Sequence, residues 1–287
     1  GYVKHGQAIQ ALDCFYECKN KNFSPNVITF ISTLQACSEI RDTSRGREIH
    51  AEIARRGLLE KRDNLIGNSL LGMYVNCGDF ARAHEIFNNN LVPDTTSWNV
   101  LIAGFTKHAY ANEALNYFKH MHLTGVYPNA MTLVWSLRAC GILRAIDQGK
   151  EIDNEITKHA LSERDHYVGN AVVEMYAKCG CLSTAQDMFD DLPVKDEVSW
   201  NILIAGYMEH GYSERALSLF EQMQRLGISP NAITLVCLLK ACGSIRAILI
   251  GKEIHRATVH KAIERDYLIG NTLVDMYSKC GSLTEAR

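Results

Sequence analysis

No stretch of this chain approaches the roughly 20 consecutive apolar residues that span a bilayer, so a membrane-crossing helix is excluded and no membrane partner is expected. No sign of charge dominates either: 30 basic and 32 acidic residues leave a formal net charge of −2. That excludes a uniformly basic, chromatin-like protein and leaves a local basic stripe open. No CxxC occurs, and the closest cysteine pair is Cys179-Gly180-Cys181. Clustered thiols for a zinc site or short-range disulfides are therefore missing, and no metal is expected. Nothing alternates with period two for long enough to suggest a sheet. Gly-rich phosphate loops, HExxH and GxSxG are all absent. His50-Ala51-Glu52 has the H-x-E spacing of a zinc deaminase, but no PCxxC exists to complete it. Asn22-Phe23-Ser24 is a nominal glycosylation sequon of the kind chance supplies. The segment is thus expected to be no enzyme, with no cofactor and no small-molecule substrate. Residues 1–6 read neither as a signal peptide nor as an Arg/Ser-rich transit peptide.

What is present is a period. Apolar residues make up 47% and charged residues 22%, which suits a folded chain. Cys37, Cys140 and Cys242 each follow an alanine, and Cys77, Cys179 and Cys280 each precede a glycine, all about one hundred residues apart. The ten cysteines read as small buried hydrophobes in a reducing compartment. Ser97-Trp98-Asn99-Val100-Leu101-Ile102-Ala103-Gly104 returns as Ser199-Trp200-Asn201-Ile202-Leu203-Ile204-Ala205-Gly206, a shift of 201 − 99 = 102. Gly46-Arg47-Glu48-Ile49 returns as Gly149-Lys150-Glu151-Ile152 and Gly251-Lys252-Glu253-Ile254. Pro25-Asn26, Pro128-Asn129 and Pro230-Asn231 recur in step.

Each long period divides into three units. The boundaries give 27–63, 64–94, 95–129, 130–165, 166–196, 197–231 and 232–266, with lengths of 37, 31, 35, 36, 31, 35 and 35 residues. Residues 1–26 match the end of a unit and 267–287 the start of one, so the chain is expected to be a piece of a longer array. Within 95–129, Trp98, Leu101, Ile102 and Phe105 keep helical spacing, as do Ala114, Leu115, Phe118 and Met121. Gly125 and Pro128 then stop the second helix. In 166–196, Ser183 and Gln186 are placed to form a capping box. One hairpin cannot bury its own apolar face, but a stack can. The expectation is an all-α solenoid of antiparallel helix-turn-helix units with one continuous core and no separate domains. Its truncated end units are expected to expose Phe15, Leu273 and Met276.

The stripe opposite the core is polar. Thr96, Asn99, Ala103 and Lys107 are spaced 3, 4 and 4, close to one line along a helix. Asn170 with Lys178 and Asn271 with Lys279 repeat it, Asn76 stands at the lysine position in 64–94, and Glu209 does so in 197–231. An amide carries both donor and acceptor, and so suits the edge of an unstacked base. An Asn early in a helix also serves as a cap or surface residue. Trp98 and Trp200 fall on the apolar face and read as core. His50, Asp153 and His255, each following the Gly-(Lys/Arg)-Glu-Ile string, read as structural.

These strings resemble the pentatricopeptide repeat proteins, in particular the plant-type PLS subclass. The carriers are Val198–Tyr207, Ala216–Phe220 with Gly227–Asn231, Leu239–Gly243 with Gly251–His255, and Gly169–Gly180. The resemblance covers the whole chain. It divides the sequence into P (1–26, partial), L (27–63), S (64–94), P (95–129), L (130–165), S (166–196), P (197–231), L (232–266) and S (267–287, partial). It implies a right-handed superhelix that binds single-stranded organellar RNA, one base per unit, as the recognition array of a mitochondrial or chloroplast RNA-processing factor, above all for C-to-U editing. Editing-complex proteins and a C-terminal deaminase domain belong to the same implied picture. The other function class is a helical-repeat scaffold for protein partners.

In that family the fifth and last residues of each unit read the base. Here these are Asn68 with Asp94, Asn99 with Asn129, Asn170 with Asp196, and Asn201 with Asn231, while Asn26 and Asn271 stand without their partners. Asn with Asp resembles the uracil combination, and Asn with Asn the pyrimidine one. The L units carry Ile31, Val134 and Val236 at the fifth position and end in Asp63, Asp165 and Asp266, so little base readout is expected of them. The second residues, Ile28, Leu65, Thr96, Met131, Tyr167, Val198, Ile233 and Leu268, are implied to wedge beside the base, with Thr96 the weak one. They also suit packing between units. Lys4, Lys107, Lys178 and Lys279 suit phosphate contacts or a solvated face.

Overall fold

The helical periodicity is realised throughout the computed structural model, which describes residues 7–21, 24–59, 64–89, 93–158, 165–260, 267–282 and 284–285. Among these residues there are sixteen α-helices and no strand. The helices follow the unit boundaries. Each of the seven units from 27–63 to 232–266 supplies two, for example Thr95–Lys107 with Ala111–Leu123, and Glu197–Glu209 with Ser213–Arg225. Ala8–Asn20 is the second helix of 1–26, and Tyr267–Lys279 the first helix of 267–287. Lys4, Asp63 and Asp266 lie outside the described residues.

The chain divides into two compact units, 1–139 and 140–287. Inside each, the first helix of a repeat packs on its own second helix and on the first helix of the next repeat. In residues 1–139 this joins Val27–Ile40, Asn64–Asn76 and Thr95–Lys107; in 140–287 it joins His166–Lys178, Glu197–Glu209, Ala232–Ile245 and Tyr267–Lys279. The core comes from the apolar stripes of both helices: Trp98, Leu101, Ile102, Ala114 and Met121 are buried, and so are Trp200, Leu203, Ile204, Ala216 and Met223. Phe15, Leu273 and Met276 are buried too, against expectation. Phe15 packs edge-on to Phe30 of the following repeat, which covers the face that truncation was expected to expose.

One seam recurs between the 35-to-37-residue repeats and the 31-residue repeats that follow them. A Cβ on Gly46 or Gly251 would stand 2.5 or 2.7 Å from the sulfur of Met73 or Met276, and Gly149 faces Met175 in the same way. Four residues further on, His50 meets the Tyr74 hydroxyl at 2.9 Å and His255 meets that of Tyr277 at 2.8 Å, while Asp153 accepts from Tyr176 at 2.7 Å. The Gly-(Lys/Arg)-Glu-Ile string is therefore a packing motif, and the residue after it is structural. Glu52, the acid of the H-x-E spacing, pairs with Arg55 and Arg56 at 2.7 and 2.8 Å. Cys37, Cys140 and Cys242 are fully buried, and burial pushes the Cys37 and Cys242 thiols up to about 12, so these act as small hydrophobes. Cys14 and Cys18 depart from that pattern and are exposed.

First-helix glycines let neighbouring repeats approach. A Cβ on Gly206 would stand 2.6 Å from the Ala177 Cβ, which cannot move aside. Overpacking costs about 1–3 kcal/mol, set against about 1 kcal/mol of helix propensity gained on Gly to Ala. Gly206→Ala should therefore lower the urea midpoint. Gly149→Ala meets only the flexible Met175 thioether and should come out near neutral. Equal shifts for the two variants would contradict this packing.

Candidate nucleic-acid interface

The last residue of each reading unit caps the first helix of the next. Asn26, Asp94, Asn129, Asp196 and Asn231 each accept the backbone N–H three residues on, from Thr29, Ser97, Thr132, Ser199 and Thr234, at 2.8–3.1 Å. Asp165 caps its helix through the Tyr167 N–H at 2.9 Å. The sequence placed the capping alternative on the fifth-residue asparagines; the structure puts it on the last residues instead. Asp94 and Asn129 share their oxygen between the helix end and the amide beside it.

The fifth-residue amides sit against these caps. Asn68 Nδ2 lies 3.5 Å from Asp94 Oδ1, and Asn99 Nδ2 donates to Asn129 Oδ1 at 3.1 Å. Burial pushes the Asp94 carboxyl up, but hydrogen bonds from the Ser97 amide and hydroxyl, Asn64 and Asn68 outweigh it and hold it below its ordinary value. Asn201 and Asn231 line one cavity. Asn170 is 6% exposed, and its Oδ1 is buried with no hydrogen-bond partner. Asn201 Nδ2 is orphaned in the same way. A buried amide atom without a partner is costly, about 1–3 kcal/mol. Asn271 is exposed on its helix. At the L positions Val134 and Val236 are buried and Ile31 is half-buried, so no polar group faces outward there.

Sequence reasoning missed a third member of this group. Ser97, Thr132 and Thr234 place their hydroxyls on Asn68, Asn99 and Asn201. The signal was present: a Ser or Thr stands third in every unit that follows a P or S unit, at Thr29, Ser97, Thr132, Ser199 and Thr234.

Beside each amide stands an exposed apolar residue. Ile28, Leu65, Met131, Tyr167, Val198, Ile233 and Leu268 are all more than half exposed, an unusual state to recur at one repeat position. Thr96 is exposed as well. In the 197–231 repeat a cavity of about 470 Å³ lies between Val198 and Ile233, with Asn201 and Asn231 in its wall and Lys178 and Glu209 at its side.

The lysines are already engaged. Lys178 Nζ bonds Glu174 at 2.7 Å, Lys279 bonds Asp275 at 2.7 Å, and Lys107 lies 5.0 Å from the Trp135 ring centroid. Their stems pack closely: a Cβ on Gly141 or Gly243 would lie 3.1 or 3.2 Å from the Lys178 or Lys279 side chain. Where the first copy has Ser38 in place of that glycine, Asn76 replaces the lysine and donates to Ser38 at 2.7 Å. The Ser183–Gln186 capping box does not form. Cys181 occupies the N-cap without a side-chain bond, and Gln186 turns to Asp190 at 3.1 Å.

Stacked helical hairpins, those of the P and S units offering an amide near exposed apolar residues, define a helical-repeat array. Residues 195–244 match the PPR repeat family, residues 14–77 the pentatricopeptide repeat domain, and residues 1–23, 96–126 and 170–196 the PPR repeat. A pentatricopeptide repeat-containing protein of Arabidopsis thaliana named as chloroplastic is 33% identical over 283 residues, covering 99% of this chain and 45% of that protein. One named as mitochondrial, from the same plant, is 31% identical over 293 residues, covering 100% of this chain and 41% of that protein. The chain thus spans less than half the length of these relatives. The crystal structure of the pentatricopeptide repeat protein PPR10 in complex with an 18-nt psaJ RNA element superposes with a TM-score of 0.79 at 22% identity, covering 100% of this chain and 42% of that one. This chain belongs to the pentatricopeptide repeat family.

Proposed function

We propose that this chain is the recognition array of an organellar RNA-processing factor of the PLS kind, and that it directs C-to-U editing. It binds single-stranded RNA, one base per P or S repeat, and leaves the base change to a deaminase domain elsewhere in the protein or its complex. The observation that carries this reading is the register of exposed apolar residue and amide, seen together around the Val198–Ile233 cavity. An unstacked base fits between two such apolar side chains, and its Watson–Crick edge meets the amide. The organellar setting follows the chloroplastic and mitochondrial names of the relatives.

The electrostatics yield a test. Lys178 can reach a phosphate only by leaving Glu174. Binding of a fluorescent single-stranded U-Y-x-U-Y oligonucleotide (Y a pyrimidine, x any base), taken 5′ to 3′ by the repeats 64–94, 95–129, 130–165, 166–196 and 197–231 in turn, should weaken steeply with salt. Glu174→Gln should tighten it several-fold and steepen that dependence, and Lys178→Ala should weaken all sequences alike and flatten it. Salt-independent binding, or none above that of a purine oligomer, would remove the proposal.

A further inference from the structure

We infer that Thr132 and Thr234 are positioning residues for base selection, each fixing which face of the preceding reader amide meets the RNA. The inference rests on the RNA-reading function proposed above.

The two threonine sites share a short hydroxyl–amide contact, whereas the Ser97 hydroxyl also reaches the Asp94 carboxylate, at 2.8 Å. Ser97 Oγ stands 2.9 Å from Asn68 Oδ1, Thr132 Oγ1 2.5 Å from Asn99 Oδ1, and Thr234 Oγ1 2.5 Å from Asn201 Oδ1. At Asn99 the direction of the bond follows from the helix cap. In the 95–129 repeat, Asn129 Oδ1 must be the acceptor, because the Thr132 backbone N–H donates to it at 3.1 Å. The Asn99 atom facing Asn129 Oδ1 at 3.1 Å must then be Nδ2. Asn99 Oδ1 is left facing the Thr132 hydroxyl, which donates to it. The hydroxyl itself accepts the Asn129 backbone N–H at 3.1 Å, so it has a proton to give and little reason to turn. A helix-capping requirement is thereby passed through one hydroxyl to the reader. The amide oxygen is turned to the hydroxyl inside the protein, which leaves N–H as the group held toward a base.

The consequence is chemical. An amide that offers N–H suits a base with an acceptor at the centre of its Watson–Crick edge, such as cytosine. It opposes guanine, whose edge carries N–H there. The fourth repeat supplies the contrast. Ser199 is equivalent to Ser97, but its hydroxyl donates to the Asp196 backbone carbonyl at 2.9 Å. Asn170 Oδ1 is then left buried and unpartnered. This amide keeps an acceptor, which uracil can satisfy with its ring N–H.

The test compares base ratios at single positions. Competition binding would use U-Y-x-U-Y oligomers carrying C or G at the second position, read by the 95–129 repeat. Thr132→Val should cut the C-over-G ratio there about tenfold, the worth of one oriented hydrogen bond. Ratios at the other positions should hold, and Thr132→Ser should restore the preference. Ser199→Ala removes a hydroxyl that meets only the backbone carbonyl of Asp196 and no reading side chain, and should leave the fourth-position ratio unchanged. An unchanged second-position ratio in Thr132→Val, or an equal loss at every position, would overturn the inference. Nitrogen relaxation of the Asn99 side-chain amide in the RNA-free protein gives a readout that needs no RNA. It should become markedly more mobile in Thr132→Val. If the unmodified protein shows no base preference at all, the RNA-reading function fails, and the amide measurement alone decides the lock: increased mobility sustains it, unchanged order removes it.

Discussion

Replacing Asn68, Asn99, Asn170 and Asn201 together by alanine is expected to abolish discrimination between U-Y-x-U-Y RNA and the same oligomer with purines at the four read positions. A mismatched base leaves a desolvated amide unpaired, at about 1–3 kcal/mol per position. Four positions of that size, if they add, amount to about a thousandfold in the affinity ratio at the lower value. Asn170→Ala alone should relax selectivity only at the fourth base, and a purine there should bind the unmodified protein more weakly than U. Competition assays with RNAs varied one base at a time would show it. A uniform loss across all variants in Asn170→Ala would remove the assignment of that repeat.

Asn170 adds a second, opposite expectation. Its Oδ1 is buried without a partner in the free protein. Alanine removes that orphaned atom, so the RNA-free variant should be as stable as the parent or slightly more so. A loss of reading without a loss of stability separates a binding residue from a packing one. Asn99, whose amide is bonded to both Asn129 and Thr132, should not behave this way.

The repeat, the helix pairs and their apolar faces were legible because helical spacing and the hundred-residue register both leave marks in one dimension. Trp98 and Trp200 are buried as the spacing required. The caps were half legible. Asn129 and Asn231 stood out as unit-final residues, but a cap and a base contact ask for the same side chain, and spacing does not separate them. The third-position hydroxyls went unread because their partners lie about 30 residues earlier, in another repeat. The pairing of Lys178 with Glu174 and of Lys279 with Asp275 was within reach: both are i, i+4 pairs on one helix. The covering of Phe15 by Phe30 is a tertiary fact with no local signature.

Trp200→Ala should be the most damaging single core change in the second compact unit. The indole is 3% exposed, and its ring centre lies 4.8 Å from that of Phe189 in an edge-to-face arrangement. Truncation removes a large buried surface and leaves a cavity between two rigid helices, at about 3–5 kcal/mol. In a repeat array each unit leans mainly on its neighbours, so the loss should be local before it is global. Hydrogen exchange should therefore speed up first in Leu182–Asp190 and Glu197–Glu209, which carry the two rings, while Val27–Ile40 and Asn64–Asn76 keep their protection. A conservative Trp200→Phe change keeps a ring against Phe189 and should recover much of the stability. The Trp200 Nε1 has no hydrogen-bond partner to lose, so the recovery should be limited only by volume. If Trp200→Phe were as unstable as Trp200→Ala, the indole would have to act through something other than packing.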